Sequence, residues 1–257
     1  MSFIDTHSHL YPEYYPSTFD EIVSRSIQAD VTKVLLPCVS SQTVTDLFLA
    51  AEKYPQHLFP MIGLHPTDVL EDFQSELKKL EQHISDKRVV AIGEIGIDLY
   101  HDKTYIDNQL IAFEQQLGWA IDMKLPLSIH VRDGFSEAIQ VLKKFNGTPF
   151  SGVFHCFSGG IQEARWVIDN GFLLGISGVV TFKKNKLQDL IKEVGLDHIV
   201  LETDAPFLAP EPYRGKQNES GYIPLIAQKI ATIFETDIHE VMQKTTANAE
   251  RIFPKIV

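Results

Sequence analysis

The stretch Phe3-Ile4-Asp5-Thr6-His7-Ser8-His9 begins with a short apolar run and ends in side chains able to hold a cation. The same arrangement recurs along the chain. Met61-Ile62-Gly63-Leu64 leads to His65, and Val89-Val90-Ala91-Ile92-Gly93 leads to Glu94. Leu127-Ser128-Ile129 leads to His130, Val153-Phe154 to His155, and Ile199-Val200-Leu201 to Glu202-Thr203-Asp204. Continuous apolar runs suit parallel strands buried on both faces. Adding Val34-Leu35-Leu36 and the run from Phe172 to Ile176 brings the count to eight.

The intervening segments have a helical period. Leu110, Phe113, Leu117 and Ile121 recur at three- and four-residue spacing between Asp107 and Lys124. Phe135, Ala138, Ile139 and Leu142 do the same between Gly134 and Lys144. Asp237 followed by Glu240 marks a helix start, with Ile238, Val241, Met242, Ala249 and Ile252 as its apolar face. Eight strand–helix alternations in 257 residues predict a (β/α)8 TIM barrel, a fold that takes about 250 residues. On this reading, residues 1–257 form a single barrel domain. A doubly wound open sheet is the competing architecture, but no glycine-rich dinucleotide fingerprint follows the first run. In a barrel, the C-terminal strand ends converge on one mouth, so residues distant in sequence meet there.

Composition narrows the function classes. The hydrophobic fraction of 44% and charged fraction of 22% are those of a globular protein. Two cysteines, Cys38 and Cys156, give no disulfide framework and read as reduced core thiols. Neither a signal peptide nor an apolar span long enough for a bilayer is legible, so the expected setting is cytoplasmic and free of membrane. The net charge of −11 argues against extensive wrapping of nucleic acid, which rests on surplus Lys and Arg. It argues less against an enzyme that grips one or two phosphates through metal ions.

His7 and His9 stand two apart on an extended segment, which places both on one face and makes a chelating pair. With His130, His155, Glu94 and Asp204 they outnumber the needs of one tetrahedral site. A two-ion centre bridged by Glu94 is the economical reading, with Mg, Mn or Zn as candidate metals. His65 precedes Pro66 and reads equally as a turn residue or a substrate contact. Glu202 shares a face with Asp204 if the strand continues, as a further ligand or as a partner of one. The glycines beside Glu94 suggest a close approach. His57, His83, His101, His198 and His239 follow no apolar run and are assigned to the surface.

These residues resemble a known family. Asp5-Thr6-His7-Ser8-His9-Leu10, Gly63-Leu64-His65-Pro66, Gly93-Glu94-Ile95-Gly96-Ile97-Asp98, His130-Val131-Arg132, His155-Cys156-Phe157-Ser158-Gly159, Glu202-Thr203-Asp204-Ala205-Pro206 and Arg214-Gly215-Lys216 through Asn218-Glu219 look like the motifs of TatD-type deoxyribonucleases. They occur in order across residues 5 to 219. The resemblance implies a barrel of the metal-dependent amidohydrolase group that hydrolyses DNA phosphodiesters, commonly from 3′ ends of single strands. It implies that His7, His9, Glu94 and Asp204 bind one ion, and that Glu94, His130 and His155 bind a second. Asp204 would also accept a proton from the attacking water. Arg132 and Arg214 are candidates for substrate phosphate. Tyr100, Tyr105, Phe157 and Tyr222 are candidates for base stacking. Ser220 and Leu99 depart from the family pattern, where proline and an aromatic residue are frequent; neither removes a ligand.

Two other classes compete. A small-molecule amidohydrolase, lactonase or phosphotriesterase fits the same barrel, although many of these bridge their ions with a carboxylated lysine where this chain has Glu94. A non-enzymatic binding protein is disfavoured by the intact ligand set. No obligate protein partner is inferred.

Overall fold

Each of the eight apolar runs becomes a strand, and each strand pairs in parallel with the next. A computed structural model describes residues 2–100, 102–183 and 185–257. The elements run β1 (Phe3–Asp5), α1 (Phe19–Gln28), β2 (Val31–Leu36), α2 (Val44–Lys53), β3 (Leu58–Ile62), α3 (Phe73–Glu81), β4 (Ala91–Asp98), α4 (Ile106–Met123) and β5 (Leu127–Arg132). They continue with α5 (Phe135–Lys143), β6 (Gly152–His155), α6 (Ile161–Asp169), β7 (Phe172–Ile176), α7 (Lys186–Val194), β8 (Ile199–Leu201), α8 (Ile223–Phe234) and α9 (Ile238–Ile252). The strand order β1 to β8 follows the sequence, as a (β/α)8 barrel requires. No helix among the described residues is long and apolar enough to cross a membrane.

The seam between β8 and β1 is closed by a few specific bonds. Thr6 N–H donates to the Leu201 carbonyl at 3.0 Å, and Asp204 N–H donates to the His7 carbonyl at 2.9 Å. The Asp5 carboxylate accepts from Thr203 N–H at 2.9 Å and from the Thr203 hydroxyl at 2.6 Å. Burial raises the Asp5 carboxyl to about 7 against the lowering effect of these bonds.

Two apolar layers hold the fold. The larger lies between strands and helices, and includes Phe113 and Leu117 of α4, Val141 of α5 and Ile226 of α8. The smaller fills the floor of the barrel with Ile4, Leu35, Met61, Ala91, Val153, Leu173 and Val200. The end of the chain plugs that floor with Ala249, Ile252, Phe253 and Ile256. The opposite, polar end is thereby left to the site.

Strand limits differ from the apolar runs at several strands, β2 and β4 most clearly. β2 starts at Val31 because Thr32 and Lys33 belong to the strand; Lys33 Nζ pairs with Glu250 of α9 at 3.3 Å. β4 runs on through Glu94 to Asp98, so Glu94 lies inside the strand and not at its end. His57 is also corrected. It is buried, with Nδ1 2.7 Å from the Thr32 carbonyl and Nε2 2.9 Å from the Ser26 hydroxyl, and its burial depresses its pKa. His83 and His198 are half-buried and His239 is exposed, while His101 lies outside the described residues. Cys38 is buried and Cys156 half-buried, and both are free thiols.

Candidate metal centre

Glu94 owes its position to a bulge. Between the pairs Ile92–Leu127 and Ile95–Ile129, β4 spends one residue more than β5, which re-aims the segment carrying Glu94. Gly96 allows the close approach: a Cβ there would lie 2.0 Å from the His130 carbonyl oxygen. What comes close to this glycine is the neighbouring strand itself.

The two oxygens of Glu94 face different groups. Oε2 lies 3.1 Å from His7 Nε2 and 3.8 Å from His9 Nε2. Oε1 lies 2.9 Å from His130 Nδ1 and 3.3 Å from both His65 Nε2 and His155 Nε2. Asp204 completes the first group, with Oδ1 3.8 Å from His7 Nε2 and 3.6 Å from His9 Nε2. The backbone of Asp204 is left-handed, with φ 57°, and β8 has already ended at Leu201. The shared strand face expected for Glu202 and Asp204 therefore does not exist.

Glu202 instead reaches behind His155. Its Oε1 lies 3.2 Å from His155 Nδ1 and also accepts from Cys156 N–H. His7 Nδ1 is similarly tied to the Ser128 hydroxyl at 3.2 Å, and His9 Nδ1 to Tyr11 Oη at 3.2 Å. In each case the rear nitrogen faces a neighbouring polar group and Nε2 is turned toward the carboxylates, the arrangement that orients a ligating imidazole. His130 is reversed: Nδ1 faces Glu94, and Nε2 pairs with Asp98 Oδ2 at 2.9 Å. His65 differs again. Its Nδ1 accepts from Thr67 N–H at 3.2 Å, which leaves the proton on Nε2. His65 thus points its Nε2–H into the site, a donor suited to a carboxylate or a phosphoryl oxygen.

The electrostatics follow from crowding these groups in a buried space. Burial opposes ionisation of Glu94, but His65, His7, His155 and the His130 hydrogen bond outweigh it and hold the carboxyl well below its usual range. Asp204 is lowered in the same way: burial works against the shift, and His155, His9 and His7 override it. Burial likewise opposes protonation of His155, but Glu202, Glu94 and Asp204 raise it to about 10. His7, stacked on His155 at 3.6 Å between centroids, is lowered by burial and by that neighbour's charge. Protons here balance carboxylate charge that a cation would otherwise balance.

The donor set fits a divalent metal. His7 Nε2, which faces Glu94 and Asp204, is buried without a hydrogen-bond partner among the described residues. Among the described residues, three sets of donor atoms lie within 4.8 Å of one another: His7, His9 and Glu94; His7, His155 and Asp204; and His65, Glu94 and His130. Imidazole and carboxylate together suit zinc, manganese and related ions. The donors open into a cavity of about 310 Å³ whose lining includes His9, His65, Glu94, His130, His155 and Asp204.

The other expected residues fall outside that lining. Arg132 is exposed, its guanidinium 3.6 Å from the centre of the Tyr100 ring. Arg214 is exposed and lies 4.3 Å over Phe182. Tyr222 stacks face to face on Tyr213 at 4.5 Å. Phe157 is buried against Phe135, as core packing requires, and Tyr105 is half-buried just before α4. Sequence reasoning missed Asp98, although alternation along β4 puts Glu94, Gly96 and Asp98 on one face. It also missed Tyr14 and Phe207, which line the cavity beside His9.

Comparison with known proteins gives the family. The model of the TatD-related DNase family matches residues 4–254. The uncharacterized metal-dependent hydrolase YabD of Bacillus subtilis is 34% identical over 250 residues, covering 97% of this chain and 98% of that one. A protein named 3′-5′ ssDNA/RNA exonuclease TatD, from Pectobacterium parmentieri, is 32% identical over 241 residues, covering 91% of this chain and 92% of its own. The crystal structure of YjjV, a TatD homologue of Escherichia coli, superposes with a TM-score of 0.90 at 29% identity over 98% of each chain. The chain is a metal-dependent hydrolase and belongs to the TatD-related DNase family.

Proposed function

We propose that the chain is a 3′ to 5′ exonuclease that hydrolyses phosphodiester bonds of single-stranded nucleic acid with two divalent cations. The observation that carries this reading is the division of Glu94, with Oε2 toward His7 and His9 and Oε1 toward His130 and His155. His7, His9 and Asp204 would hold one ion with Glu94, and His130 and His155 the other. When bound, the two ions would ease formation of a nucleophile from water and offset charge on the phosphoryl oxygens.

The chain's own residues supply the rest. Asp204, ionised and 14% exposed at its side chain, stands at the cavity edge to accept a proton from water. Glu202, Ser128 and Tyr11 hold His155, His7 and His9 in orientation. His65 directs its Nε2–H toward a phosphoryl oxygen. Arg132 and Arg214, both exposed, would contact backbone phosphates further along the strand. The relative named as a 3′-5′ ssDNA/RNA exonuclease supports the substrate class.

The test is nucleotide release from end-labelled single-stranded DNA, duplex DNA and RNA by metal-stripped protein resupplied with Mg, Mn or Zn. Release from the 3′ end is expected, with a chelator abolishing it. Asp204→Asn should lower the rate about 10²–10⁴-fold, the usual worth of a positioned base, with circular dichroism and melting unchanged. Turnover of a lactone or amide panel with no cleavage of nucleic acid would overturn the proposal.

A further inference from the structure

Phe207 is 49% exposed, an unusual position for a phenylalanine beside a charged site, and Leu208 next to it is 37% exposed. The exposure is not that of a loose loop. Phe207 N–H donates to the Asp204 carbonyl at 2.9 Å, and the Phe207 carbonyl accepts from the Asn218 amide at 2.6 Å. Asn218 is itself buried and also donates to the Thr203 carbonyl at 2.8 Å. The backbone that carries the ring is therefore held at the cavity mouth, three residues beyond Asp204.

Tyr14 meets it beside His9. The Tyr14 and Phe207 rings are 5.9 Å apart at 79°, which makes a corner with one ring as floor and the other as wall. Both rings meet the His9 imidazole edge-on, at 5.8 and 5.9 Å. A flat apolar ligand lying in this corner would be held next to the residues that face Glu94. The acidic groups Asp68, Glu94 and Asp204 line the same cavity, so a polyanion gains little electrostatic grip there from the protein alone. Base–aromatic stacking requires no positive charge and tolerates any base.

We propose that Tyr14 and Phe207 form a stacking subsite for the base of the terminal nucleotide. The proposal rests on the nucleic-acid reading above and adds what holds the end of the strand at the site. It replaces Tyr100 and Tyr222 as the stacking pair, since one lies under a guanidinium and the other against Tyr213.

The experiment compares two single-stranded oligonucleotides, one with an ordinary 3′-terminal nucleotide and one with an abasic sugar there. Phe207→Ala should lower kcat/KM on the ordinary strand about 5- to 150-fold, the range for losing one stacked base, and should change hydrolysis of the abasic strand less than about twofold. Phe207→Trp should restore the ordinary rate, and Tyr14→Ala should repeat the pattern. Equal losses on both strands, or none on either, would overturn the subsite. A binding measurement separates this idea from the nuclease reading. An oligonucleotide ending in 2-aminopurine should be quenched on binding to the wild type and not to Phe207→Ala. Quenching without hydrolysis would sink the nuclease reading and leave the subsite standing; hydrolysis without quenching would do the reverse.

Discussion

Gly175 is a glycine because Glu202 occupies the space a side chain would need. A Cβ there would lie 2.2 Å from Glu202 Oε2 and 2.6 Å from its carboxyl carbon. Gly175 is on β7 and cannot retreat without breaking its pairing with Val200. Gly175→Ala should therefore displace Glu202 and release His155 Nδ1, weakening metal binding about 10–100-fold, the usual effect of losing a group that orients a ligand. Titration calorimetry with the metal-stripped protein would measure it. Shortening the acid in Gly175→Ala/Glu202→Asp should recover part of the loss, and strictly additive effects would show that the two residues do not communicate. This relationship was not legible in the sequence. His7, His9, Glu94, His130, His155 and Asp204 were, because each follows an apolar run and strand ends of a barrel converge. The spacing of Gly175 and Glu202 carries no such signal, and of the two roles open to Glu202 the structure has the partner of a ligand, because β8 ends at Leu201 and nothing in the sequence marks the left-handed backbone at Asp204.

At the scale of elements, α4 does more than cover the barrel. Its apolar period was readable, yet Ile121 is exposed while Gln109 and Gln116 are buried. Two turns apart on one face, each glutamine behaves as a neighbouring strand would. Gln109 accepts from Asp98 N–H at 3.0 Å and donates to the Asp98 carbonyl at 3.1 Å. Gln116 accepts from Leu64 N–H at 2.7 Å and donates to the Leu64 carbonyl at 3.4 Å. Asp98 receives His130, and Leu64 precedes His65, so one helix fixes two walls of the cavity. Gln109→Leu and Gln116→Leu should each cost about 1–3 kcal/mol in urea unfolding, because buried backbone groups lose their partners. Hydrogen exchange should quicken at the Asp98 amide in the first variant and at the Leu64 amide in the second. Uniform quickening at both amides in either variant would mean the clamp is not local. A polar residue on a predicted apolar face looks like noise until its partner is known, which is why periodicity alone gave α4 without this role.

For the whole molecule, the barrel interior has an apolar floor and an ionisable mouth, and the two should contribute to stability separately. Phe253 is fully buried among the floor residues, and Phe253→Ala should cost about 3–5 kcal/mol by leaving a cavity. Part of the mouth works against folding: burial raises the Asp5 carboxyl and lowers the His7 imidazole, and His7 Nε2 lacks a hydrogen-bond partner among the described residues. A cation that binds only the folded chain reverses that cost by linkage, adding about 2.7 kcal/mol when present at a hundred times its Kd. For a chain of this size roughly 2–4 °C accompanies each kcal/mol, so a saturating divalent metal should raise the melting temperature by about 5–10 °C for one ion. Phe253→Ala should lower the melting temperature with and without metal and leave the metal-induced rise intact, as expected of independent sites. Glu94→Gln should lower the metal-free baseline, because folding favours the ionised carboxylate that His7, His130 and His155 surround, and should also remove most of the rise. Scanning calorimetry of the three proteins, each with chelator and with metal, gives both numbers. A metal-induced rise that survives in Glu94→Gln would place the stabilising ion away from Glu94 and undo the two-ion arrangement proposed here.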